Sequence, residues 1–122
     1  MKNSLFYRVE SGKSFYEACH DLAPIVERFG FVIVGQHDLG EMLGRRDIDI
    51  DEDCQVFDIC NYRQAEQLLA SDMLLSLLVP WRIAVFTEDG ATWLALLRPS
   101  ALLAAPLAEL EEKMIPIIDE TR

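Results

Sequence analysis

Apolar and polar residues along this chain alternate between two spacings, and each change of spacing marks an element. Residues 5–9 read as a first strand, broken by Ser11-Gly12-Lys13. Ser14 then opens a helix, with Glu17 three residues on completing a capping box. Phe15, Ala18, Cys19, Leu22, Val26 and Phe29 recur at helical spacing and predict its buried stripe. Pro24 falls inside this helix and is expected to bend it, and Gly30 ends it. Residues 31–36 form a second strand, 39–44 one short helical turn, 45–53 a polar stretch, and 54–60 a third strand. Asn61 caps a second helix with Gln64 in the capping-box position, and Ala65, Leu68 and Leu69 form its inner face. Ser71-Asp72 ends it, and residues 73–78 are a loose or short helical connection. Two strands follow over 81–87 and 92–98, with Asp89-Gly90 at the turn, a strong hairpin signal. Pro99 stops the second. Leu107, Leu110, Met114 and Ile117 mark a last amphipathic helix, opened by Pro106 near its first turn.

This order, β-α-β-β-α-β-β-α, predicts an α+β fold: an antiparallel-rich sheet of about five strands with helices packed on one face. With 122 residues and no Pro/Gly/Ser-rich linker or repeat, residues 1–122 read as one domain. The strands carry a second message. Val32 and Val34 oppose Phe31 and Ile33, and Trp93, Ala95 and Leu97 oppose Leu94 and Leu96. A sheet with one wet face should alternate apolar and polar residues. Both faces are apolar here, and three helices can cover only one well. The other face needs cover, which predicts a homodimer formed partly through the sheet.

Charge narrows the partners. Asp and Glu number 21 against 11 Lys and Arg, a net charge of -10. Such a surface repels a phosphate backbone and an anionic membrane, so neither nucleic acid nor membrane is expected, and a basic partner would be a protein, a cation or a cationic small molecule. The cysteines, Cys19, Cys54 and Cys60, are odd in number and lack Cys-x-x-Cys spacing. That argues against a disulfide framework or zinc site and, with no signal-peptide pattern, for a cytoplasmic protein.

Candidate chemistry centres on residues 56–82. Cys60 stands at a strand end directly before a helix, where free N–H groups and the helix dipole favour a thiolate. Asp58, on the same strand face, pushes the other way, and the reading preferred for Cys60 is a small buried apolar residue at a strand end. Arg82 shares a strand face with Ala84 and Phe86, so it needs an acidic partner, for which Asp58 is named first, or a ligand anion. The run 47–53 has oxygen ligands at alternate positions, but Glu52 replaces the glycine a calcium loop needs. With Ile48 and Ile50 between its charges, it reads instead as a half-exposed edge strand. His20 and His37 have no partner at a metal spacing, and no hydrolase, phosphate-loop or dinucleotide motif occurs, so no cofactor or metal ligand is expected.

Gly30-Phe31 after the first helix, Cys60-Asn61 at the end of the third strand, Ala65 and Leu68 in the second helix, Leu78-Val79-Pro80 before the hairpin and Pro99 after it together resemble domain-of-unknown-function family 302, the TT1751-like proteins. Tyr62 stands where that family often has proline. The resemblance implies an α+β, TBP-like sheet and frequent homodimers, and it implies no activity. Three readings follow. The first is a binding module that holds a small ligand or protein near Cys60, Asn61, Pro80 and Arg82, with Asp58 beside them. The second is a thiol-based enzyme or sulfur carrier with Cys60 as its catalytic group. The third is a structural subunit of a larger assembly.

Overall fold

A computed structural model describes residues 5–102 and 108–122. The elements are β1 (Phe6–Ser11), α1 (Phe15–Arg28), β2 (Val32–Asp38), α2 (Leu39–Gly44), β3 (Cys54–Cys60) and α3 (Tyr62–Ser71). A 3₁₀ segment (Met73–Leu77), β4 (Trp81–Glu88), β5 (Ala91–Leu97), α4 (Pro99–Leu102) and α5 (Ala108–Thr121) complete the chain. The strands form one antiparallel sheet in the order β1-β5-β4-β3-β2. β4 and β5 are a hairpin whose two turn residues, Asp89 and Gly90, both take positive φ, as a two-residue turn that follows strand twist requires. β1 and β2 sit at opposite edges, so α1, which joins them, must cross the sheet.

Local chemistry sets the helix starts. Ser14 accepts a hydrogen bond from the Glu17 amide at 3.1 Å, Asp38 from the Glu41 amide at 3.0 Å, and Asn61 from the Gln64 amide at 3.0 Å. Each satisfies an amide that the first helical turn leaves without a partner. α1 runs as one helix through Pro24 and ends where Gly30 takes φ +86. Its buried residues Phe15, Ala18, Leu22 and Val26 lie at helical spacing and pack against the sheet beside α5. α5 contributes Leu110, Met114, Ile117 and Ile118 and carries a proline of its own, Pro116. The sheet contributes Phe57, Ile59, Ile83, Val85, Leu94 and Leu96, none more than 3% exposed. Each such side chain contributes about 1.5–3 kcal/mol through burial. The C-terminal end of α5 is tied down by polar contacts: Lys13 Nζ donates to the Thr121 carbonyl at 3.0 Å, and Arg28 pairs with Glu120 at 2.7 Å.

One expectation is corrected and another extended. Residues 47–53 are not an edge strand. The amides of Arg46 and Ile48 bond back to the Leu43 carbonyl at 2.9 and 3.0 Å, and Asp47 takes φ 61, so the chain coils off the end of α2 instead of extending. Glu52 then reaches the β4–β5 hairpin, accepting from Thr87 Oγ1 at 2.8 Å and the Asp89 amide at 3.2 Å. Pro99 does more than stop β5: it opens the short helix α4. Leu107 and Pro106, expected near the start of the last helix, lie outside the described residues.

Candidate functional site

Side chains alternate across a strand, so the residues between the core positions of β3, β4 and β5 point away from α1 and α5. The pairing registers arrange them in rows. One row reads His37, Val56, Ala84, Ala95, Arg8 from edge to edge. The row on one side holds Phe86, Trp93 and Glu10. The row on the other side runs Gly35, Asp58, Arg82, and continues through Leu97 paired with Phe6. Two alanines at the centre leave a dip between larger neighbours. The result is an open trough of about 1280 Å³, bordered at one end by Leu77, Leu78, Val79 and Pro80. Small-molecule sites are commonly about 300–1,000 Å³, so the trough is ample. Its rim is greasy: Phe6 is 46% exposed, and Leu77, on the 3₁₀ segment, is 83% exposed.

Asp58 is the half-buried polar centre of this face. Arg82 Nε donates to its Oδ1 at 3.1 Å and His37 Nε2 to its Oδ2 at 2.8 Å. The carboxylate is 13% exposed while the Arg82 side chain is 72% exposed, so the acid is spent inside the fold and the guanidinium faces out. Gly35 makes the room. A Cβ on Gly35 would lie 2.6 Å from Asp58 Oδ2, closer than any real contact. Farther along the face, Arg8 stacks on Trp93 at 4.0 Å and touches Glu88 at 3.4 Å.

The predicted site residues therefore fall in two places. Pro80 and Arg82 line the trough, with Asp58 beneath Arg82. Cys60 and Asn61 line a separate small cavity, with Phe31, Gln64, Leu68 and Leu110, on the helix side of the sheet. Its volume of about 10 Å³ is that of a single water. Gln64 Oε1 is buried there with no partner among the described residues. Burial pushes the Cys60 thiol up. Cys54 is raised by burial and by Asp38. Cys19 is pushed up to about 11, first by burial and then by Asp38 and Asp53.

Sequence reasoning, which asked of His37 only whether it had a partner at a metal spacing, missed the contact of His37 with Asp58, and it missed Gly35. Their signal lies in the register. β2 and β3 slip between Ile33 and Gly35, and that irregularity brings Gly35 opposite Asp58 and His37 opposite Val56, within reach of Asp58. No motif spacing encodes this.

No curated protein matches the chain. Among solved structures, the crystal structure of an uncharacterised conserved DUF302 protein from Bacillus stearothermophilus superposes with a TM-score of 0.93 at 21% identity, covering 98% of this chain and 100% of that one. At that identity the likeness establishes the fold. The family model described as "Domain of unknown function DUF302" matches residues 7–121, and the chain belongs to that family.

Proposed function

We propose that this chain is a binding module that works as a homodimer in a reducing, cytoplasmic setting, with the open face of its sheet as the working surface. One observation carries the reading: a single sheet has one face sealed by α1 and α5 and the other bearing an uncovered trough ringed by Phe6, Leu77 and Phe86. Exposed apolar area of this extent on one face marks an interaction surface. Five strands about 4.8 Å apart and six residues long at about 3.3 Å per residue span roughly 480 Å² of plane. That is somewhat over half of the roughly 800 Å² per partner of a standard interface, and the 3₁₀ segment adds to it. A second copy offers the same apolar surface and would cover it by twofold symmetry. The thiol-based reading loses its support, since burial raises the Cys60 thiol and its cavity holds no more than a water.

Sedimentation velocity tests the dimer. The wild type should sediment at twice the 13.9 kDa of one chain. Phe6→Glu and Leu77→Glu, both at exposed positions, should sediment as folded monomers. A monomeric wild type, or a dimer indifferent to both changes, would refute the assigned surface.

A further inference from the structure

We infer that the small cavity under the start of α3 is a binding site for one water molecule, held by Gln64 Oε1 and standing in for the missing half of the α3 capping box. The site lies on the helix side of the sheet, away from the trough, and does not depend on how the open face is used.

The cap geometry argues for it. Asn61 Oδ1 accepts from the Gln64 amide at 3.0 Å, which is the forward half of a capping box. The return half would run from the Asn61 amide to Gln64 Oε1, and that bond is not made: Oε1 is buried with no partner among the described residues. Gln64 as a whole is only 5% exposed, so bulk solvent does not serve it. A buried acceptor left without a donor is costly, and native folds satisfy nearly all of them with protein groups or ordered water. Gln64 itself lines the cavity, so the orphaned acceptor and the space for a donor lie together.

The lining selects the occupant. Phe31, Leu68 and Leu110 give it apolar walls, and its polar groups are Cys60, Asn61 and Gln64. No Asp, Glu, His, Lys or Arg lines it, so neither a cation nor an anion would meet counter-charge there. An apolar occupant would leave Oε1 unpaired. The volume of about 10 Å³ admits one water and leaves no room for a larger solute. Turning the Gln64 amide over would present Nε2 in place of Oε1, and water serves either way because it both donates and accepts. A buried water takes about three hydrogen bonds, and Cys60 and Asn61 stand beside Gln64 to supply the others. Held this way, the water fixes the first turn of α3 against the end of β3.

Methyl NMR of the full chain, with carbon-13 in the alanine and leucine methyls, tests the inference with water itself as the probe. Ala65 and Leu68 line the cavity, and their methyl protons do not exchange with solvent, so cross-relaxation with water reports proximity alone. Both methyls should show the sign that marks a water tumbling with the protein. Leu74, which is 71% exposed, should show only the signal of passing solvent. Gln64→Met keeps the length of the side chain and removes both of its polar atoms, and the signals of Ala65 and Leu68 should then fall to the level of Leu74. Gln64→Leu serves if Gln64→Met fails to fold, which its melting curve shows. A wild type without the bound-water signal at Ala65 and Leu68 would overturn the inference. So would a signal that persists undiminished in a folded variant lacking the Gln64 amide.

Discussion

On the helix-covered face of the sheet, Ile83, Val85 and Leu94 are wholly shielded. One residue along the same strands, Ala84, Ala95 and Arg82 look onto an open trough. Apolar side chains occur on both faces, so their presence alone does not distinguish the core from the open face. What distinguishes them is size and completion. The covered face carries large branched and aromatic side chains that meet partners from α1 and α5. The open face alternates alanines with arginines and aromatic residues, and it buries one acid under a cation. The first pattern fills space, and the second leaves space with charge at its edge.

The sharpest way to break this contrast is to truncate each face. Phe57→Ala or Ile83→Ala should cost about 3–5 kcal/mol in urea unfolding, since each leaves a cavity in a closed core. Phe6→Ala, measured on dilute monomer, should cost less than about 1 kcal/mol. Comparable losses would mean that the faces are not different. Next in size is the packing of Gly35 on Asp58. Gly35→Ala should destabilise by about 1–3 kcal/mol through overpacking, and much of that should vanish in an Asp58→Ala background, a coupling that a double-mutant cycle reads directly. Asn61→Ala, which removes the cap of α3 on the covered side, should cost about 1 kcal/mol and leave association unchanged.

The smallest effect is alkaline. The thiols of Cys19, Cys54 and Cys60 all hold their protons more tightly folded than unfolded. Between the ordinary thiol range and the folded values the unfolded chain binds fewer protons, so stability is complete below pH 9 and falls as pH rises toward about 11, the value for Cys19. Cys19→Ala should flatten that fall in pH-dependent melting. Cys60 should alkylate slowly at neutral pH, and rapid labelling there would restore the thiol reading.

The helix starts and the hairpin were legible in the sequence because they are local: Ser14, Asn61 and Asp89-Gly90 act on residues within one turn of themselves. The resemblance to family 302, read from residues spread between Gly30 and Pro99, also held. Arg82 could be matched to Asp58 because an arginine in an apolar row demands an acid. The rest depended on distant registers. Cys60 and Arg82 are close in the strand pattern yet line different cavities, because the chain turns into α3 at Asn61. His37 reaches Asp58 only through the slip near Val34, and the run 47–53 coils because the Asp47 and Ile48 amides bond back to Gly44 and Leu43, which alternation of Ile and Asp does not reveal.

The two tryptophans offer the most direct test, one on each face. Trp81 is buried on the covered face with its Nε1 donating to the Leu97 carbonyl at 2.8 Å, and Trp93 lies on the open face under Arg8. Acrylamide quenching, followed on dilution, should be measured in Trp81→Phe and Trp93→Phe, each of which leaves a single reporter. Trp93 should become more quenchable and shift to the red as copies separate, while Trp81 stays dark to quencher throughout. A Trp93 signal that does not change across the concentrations where the dimer dissociates, or one that Trp81 matches, would contradict the open face as the working surface.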